Sequence, residues 1–186
     1  MYKFLNGLLM LFVLTGAAFL TISAQTEKRI DEIKQIYKET NAKIAEAEEN
    51  GEYSSTFLSE LVVNKNNGSY PAVGTYKTVV KFYYTFGDRE KNPYPDRLLK
   101  IEVETKCSDR TETAEFLLNE TGQLIFYFGK KDDQEFRAYF SAEKPLKFLK
   151  GPESVSLNDK TANQTAKAVL AEKRKLAGIF SASLDF

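Results

Sequence analysis

The sequence predicts an α+β fold, with a long N-terminal helix packed on a curved antiparallel meander sheet of about six or seven strands and a C-terminal helix closing the chain. Three observations predict it. Apolar residues recur at helical spacing from Thr26 to Glu49. The period then changes to two between Leu58 and Phe148, and a second helical pattern resumes after Leu157. Short, turn-rich connections between the alternating segments make neighbouring strands antiparallel.

The chain opens as an export signal. Lys3 supplies positive charge, Leu8 to Leu20 is nearly unbroken apolar sequence, and Ile22-Ser23-Ala24 places a small residue before a cut ahead of Gln25. The run falls short of the ~20 apolar residues that span a bilayer. Thr15 and Gly16 interrupt it, and no cysteine stands at the junction to carry a lipid. The expected organisation is a signal peptide over residues 1–24 and a single α+β domain over 25–186, with an uncleaved N-terminal anchor as the alternative. The expected location is the periplasm or the exterior, with no integral membrane span after signal removal.

In the first helix Ile30, Ile33, Tyr37 and Ile44, with Ile36 and Ala47 beside them, form one stripe between charged faces, and Gly51 ends it. A strand is expected around Leu58 to Asn64, running into the Asn66-Asn67-Gly68 turn. Val80, Phe82, Tyr84 and Phe86 then point one way and Val79, Lys81, Tyr83 and Thr85 the other. Leu99, Ile101 and Val103 alternate with Lys100, Glu102 and Glu104. Ala114, Phe116 and Leu118 continue the apolar face, and Asn119-Glu120-Thr121-Gly122 turns the chain into Gln123 to Phe128.

Gly129-Lys130-Lys131-Asp132-Asp133 reads as a second hairpin loop before Phe136, Ala138 and Phe140. Ala142 to Pro145 turns into Leu146 and Phe148. Asn158 or Asp159 caps the closing helix, whose stripe is Ala162, Ala166, Val169, Leu170, Ala177 and Phe180; Lys173-Arg174-Lys175 reads as a solvated face. The first helix is expected to cover the sheet face that carries Phe82 and Phe126.

Two stretches, Ile30-x-x-Ile33-x-x-x-Tyr37-x-x-x-Asn41-x-x-Ile44 and Gly122-Gln123-Leu124-Ile125-Phe126-Tyr127-Phe128, resemble uncharacterised periplasmic proteins of Bacteroides-type bacteria. The resemblance implies an envelope location, a leading helix and a meandering antiparallel sheet. It brings no catalytic residue with it, and the closing helix departs from the pattern.

Composition narrows the chemistry. There are 26 basic and 26 acidic residues, so no bulk charge draws the chain to nucleic acid or to an anionic membrane. With 0 histidines and 1 cysteine, Cys107, the chain has no serine–histidine pair, no histidine-ligated zinc, no activated thiol and no internal disulfide. No metal site, cofactor or catalytic set is expected. Asp88, Glu90 and Asp96, on the loop from Asp88 to Asp96, are the acid–base candidates, but Arg89, Lys91 and Arg97 are interleaved with them as on an ordinary solvated loop.

The second sheet face carries Tyr83, Ile125, Tyr127 and Tyr139, and is expected to lie under the closing helix, to form a ligand or partner surface, or to be scattered exposure of the ordinary kind. The function read from these features is a non-catalytic binding or interaction protein of the cell envelope. Its partner would be a protein, a glycan or an apolar ligand. Carriage of an apolar ligand such as lipid, and a carboxylate-dependent enzyme acting on glycans, are the alternatives.

Overall fold

The computed structural model describes residues 2–51, 54–71, 74–108 and 110–184, with side chains described from Ala24 onward. The expected signal lies almost wholly outside the described side chains; its backbone from Tyr2 belongs to helix α1, Tyr2–Asn50. Among the described residues no helix is long and apolar enough to cross a membrane. The chain divides into two compact units, one ending at Ile36 and one beginning at Tyr37, so the boundary falls inside α1. In the first unit Ile30 and Ile33 are buried while Asp31, Glu32 and Lys34 are exposed, as the stripe requires.

The second unit holds the sheet. Its strands are β1 (Thr56–Val63), β2 (Ser69–Tyr70), β3 (Gly74–Phe86), β4 (Pro95–Cys107), β5 (Arg110–Leu118), β6 (Leu124–Lys131), β7 (Gln134–Ser141), β8 (Lys144–Lys150) and β9 (Glu153–Val155), followed by helix α2 (Lys160–Ala182). All pairings are antiparallel and run in the order β1-β3-β4-β5-β6-β7-β8-β9, with β2 beside β3. The strand count exceeds the sequence expectation because β2 and β9 are too short to show a period.

The hairpins are tighter than expected. β6 continues through Gly129, Lys130 and Lys131, and only Asp132 and Asp133 form the turn, both with positive φ (48° and 61°). Ala142 and Glu143 do the same between β7 and β8, at 49° and 59°. Positive φ at both central positions gives the mirror-image turn whose twist matches that of the flanking strands. Asn119 organises the β5–β6 turn, its Oδ1 accepting from the Thr121 and Gln123 backbone amides at 3.0 and 2.8 Å.

The two helical segments of this unit take opposite faces. Val80, Phe82, Ile101, Phe116, Leu118, Leu124, Ala138, Phe140 and Phe148 pack against Ala162, Ala166, Val169, Leu176 and Phe180 of α2. Phe82 meets Phe180 at a ring separation of 5.4 Å. The expectation that the first helix covers Phe82 is corrected: the closing helix does. Cross-strand register explains the exchange, because Tyr83, Lys100, Leu117, Phe126 and Tyr139 form one row while Phe82, Ile101, Phe116, Tyr127 and Ala138 form the neighbouring row on the opposite face. Tyr37 of α1 packs on Phe126 of the first row, with ring centroids 5.2 Å apart.

Asp159 caps α2 by accepting from the Ala162 amide at 2.7 Å. Lys173, expected in solvent, is buried. It donates to the Gly122 carbonyl at 2.7 Å and to Glu143 at 3.0 Å, tying α2 to two hairpin turns. Glu143 also accepts from Arg174; hydrogen bonds from Arg174 and then Lys173 hold its carboxyl below the usual range.

One buried side-chain atom, Thr56 Oγ1, makes no hydrogen bond among the described residues, and Thr56 is 4% exposed. A buried hydroxyl without a partner costs free energy that an isosteric methyl does not. Thr56→Val is therefore expected to raise stability by about 1 kcal/mol, read as a higher urea midpoint at unchanged slope. A lower midpoint would mean that the hydroxyl is satisfied after all.

Candidate functional site

The side of the sheet that carries α2 is not filled along its whole length. One cross-strand row reads Val103, Ala114, Gly129, Phe136 and Lys150. Three consecutive strands thus contribute valine, alanine and glycine where the preceding row carries Ile101, Phe116 and Tyr127. Side-chain height drops, and an open groove of about 850 Å³ results. Thr161, Thr165 and Glu172 of α2 form its other wall, and Glu112, Lys131, Glu135 and Lys150 line its outer rim. That size falls within the range of small-molecule sites.

Tyr127 lies across the inner end. Its ring meets Phe116 edge-on at 5.1 Å and Phe136 at 6.3 Å. It also leans along β6 over Gly129: a Cβ on Gly129 would stand 2.3 Å from the Tyr127 hydroxyl oxygen and 2.8 Å from Cζ. A side chain at residue 129 would displace the ring. Burial, followed by the charge of Glu172, pushes the Tyr127 hydroxyl up to about 12, so it carries its proton at neutral pH. Burial also raises the pKa of Glu172, against the opposing pull of Lys175. Neither Tyr127 nor Glu172 makes a side-chain hydrogen bond among the described residues, which leaves a donor and an acceptor free at the groove.

The expected tyrosine surface is divided and covered. Tyr83, Ile125 and Tyr139 are buried, at 3%, 1% and 7% exposure, so they form no open face. Tyr127 belongs to the opposite side and lines the groove.

On the face under Tyr37–Asn50 of α1, the polar residues form a closed network. The Lys100 amine contacts Glu102 at 2.7 Å, Glu115 at 2.8 Å and Asn41 at 2.9 Å, and lies 5.2 Å from the centre of the Tyr37 ring. Tyr37 donates to Glu115 at 2.8 Å and Tyr83 to Glu102 at 3.2 Å. Burial works to lower the Lys100 pKa, but hydrogen bonds and charge from Glu102 and Glu115 outweigh it and hold the value above the ordinary one. Burial is the first cause of the raised pKa values of Tyr37 and Tyr83. Among the described residues, the hydrogen-bond and ion-pair partners of Lys100, Tyr37 and Tyr83 are members of the same set. The network fastens helix to sheet and offers nothing free to a ligand.

Asp88, Glu90 and Asp96 are all exposed. Asp88 pairs with Lys91 at 2.8 Å and accepts from the Glu90 amide, and the Lys91 contact holds its carboxyl below the usual range. Asp96 accepts from Thr85 at 3.2 Å. Arg89 of the same loop lies over the rings of Phe57 and Phe86, at 4.7 and 4.3 Å, and so caps the ends of two strands. Among the described residues no group of three or more potential ligand side chains is placed to hold a metal ion.

No family model, curated protein or solved structure matches the chain.

Proposed function

We propose that this chain is a non-catalytic binding protein of the cell envelope, related to the periplasmic proteins its motifs resemble, and that it takes its ligand into the groove beside α2. The observation that carries the reading is the pairing of a flattened apolar floor, Val103, Ala114 and Gly129, with a free Tyr127 hydroxyl and a Glu172 carboxyl at its edge. An apolar floor with a few convergent polar groups is what a small-ligand site needs. A saccharide fits this chemistry. Its C–H faces suit the Tyr127 and Phe136 rings, and its hydroxyls suit Tyr127 Oη, Glu172 and the threonines of α2. Bulk lipid fits less well, because the space between α2 and the centre of the sheet is filled by phenylalanine. Hydrolysis by Asp88, Glu90 and Asp96 finds no support, since they stand in solvent on a loop outside the groove.

Titration calorimetry against a panel of oligosaccharides tests the reading. At least one member is expected to bind. Tyr127→Phe is expected to weaken it about tenfold, the worth of one hydrogen bond, at unchanged stability because the hydroxyl has no protein partner. A panel with no binder, or equal affinity in the variant, would contradict the assignment.

A further inference from the structure

The two edges of the sheet are built differently. The outer edge at β9 is three residues long, Glu153–Val155, too short to template a further strand. The edge at β1 is eight residues long, Thr56–Val63, and its register with β3 is continuous from Thr56 opposite Thr85 to Val63 opposite Thr78, without a bulge. Among the described residues no other strand pairs with its outer side. Of the large apolar residues left exposed, Leu58 at 45%, Leu61 at 36% and Val63 at 40% all belong to this strand. It contains no proline or lysine, and its single charge, Glu60, stands opposite Lys81 on β3. The usual devices that keep an edge from pairing are absent from β1.

We propose that β1 is a homodimer interface, at which two copies join their sheets by antiparallel pairing of β1 with β1 about a twofold axis at Ser59. The sequence of the strand selects this occupant and this register. A twofold axis perpendicular to the sheet pairs only residues that share a face. Centring it on Ser59 sets Phe57 opposite the partner's Leu61, Leu58 opposite the partner's Glu60, and Thr56 opposite the partner's Val62. Apolar side chains on the α2 side thereby meet, and no like charges are opposed. Centring it on Glu60 would oppose two carboxylates, and centring it on Leu61 shortens the paired stretch. The pairing consumes the long edge of both copies and leaves outside the short β9 and the first four residues of β8, where Lys144, Pro145 and Lys147 disfavour a further strand, so assembly closes at two. This inference is independent of the groove, which lies on β4 to β8 and α2.

Sedimentation of the full chain over a range of concentrations is expected to show a monomer–dimer equilibrium. Leu61→Lys is expected to move it to monomer with an unchanged circular dichroism spectrum, because that side chain is on the surface. Register is read separately by oxidation in a Cys107→Ser background. Ser59→Cys is expected to yield a disulfide-linked dimer, since directly opposed residues lie within bridging distance. Glu60→Cys is expected to yield little, its two copies being offset along the strand. A wild-type chain that stays monomeric, a dimer that ignores Leu61→Lys, or equal cross-linking at both cysteines would each overturn the proposal.

Discussion

Replacing Phe116 by alanine is expected to lower stability by about 3–5 kcal/mol, a large part of the roughly 5–15 kcal/mol that holds a domain together. Phe116 is 0% exposed, on the central strand β5, between Ile101 and Tyr127 in the cross-strand row. The loss combines the transfer free energy of the ring with a residual cavity, and the edge contact with Tyr127 goes too. Phe116→Leu keeps most of the volume and is expected to lose less than half as much. Urea unfolding of both variants measures this; a loss below about 1 kcal/mol for Phe116→Ala would mean that the site repacks and that the sheet core is not rigid.

Lys100→Ala is expected to cost about 3 kcal/mol, the lower end of the range for breaking a buried ion pair, because Glu102 and Glu115 are about a quarter to a third exposed. Those two glutamates are directly opposed across β4 and β5. Like charges so placed repel, and only the amine between them makes the arrangement favourable. The variant therefore leaves two facing carboxylates without the amine between them. Lys100→Met combined with Glu102→Gln and Glu115→Gln removes charge from all three and is expected to recover most of the loss. Failure to recover would show that the geometry of the network, rather than its charge balance, matters most.

The same network, with the buried Tyr127 hydroxyl, weakens the fold at alkaline pH. Lys100, Tyr37 and Tyr83 all have folded pKa values above their ordinary ones. A raised value contributes stability that is complete below the unfolded pKa, about 10 for tyrosine and about 10.4 for lysine, and is lost as pH climbs through the folded value. Unfolding midpoints are thus expected to fall above about pH 10, and less steeply in the neutralised triple variant. Equal slopes in the two proteins would place the alkaline loss elsewhere.

The fold class, both helices, the N-cap at Asp159 and most strands follow from periodicity and turn residues. What periodicity cannot supply is register across irregular pairings. The pairing of β3 with β4 shifts between Tyr83 and Tyr84, leaving Leu99 between Leu98 and Lys100, the partners of Tyr84 and Tyr83. The pairing of β5 with β6 shifts between Leu117 and Leu118, which leaves Ile125 over. Each extra residue flips the alternation beyond it. Leu124 and Tyr127 therefore share the α2 side despite odd spacing, while Tyr127 parts from Tyr83 and Tyr139 because the register sets its neighbour Phe126 in their row.

The groove was hidden for a related reason. Val103, Ala114 and Gly129 are unremarkable singly and become a floor only once three strands are aligned. Glu172 gave no signal in a helix with many charged residues. Lys173 reads as solvated in the sequence because a buried lysine with its own carbonyl and carboxylate partners has the same local sequence as an exposed one.

The most direct measurement is amide chemical-shift mapping of the labelled protein during titration with the best-binding oligosaccharide. The expected result is a set of perturbations confined to Val103, Ala114, Gly129, Phe136, Thr165 and Glu172, abolished by Gly129→Ala, whose side chain would push the Tyr127 ring aside. Perturbations centred on Lys100 and Tyr139, or spread without regard to the groove, would contradict it.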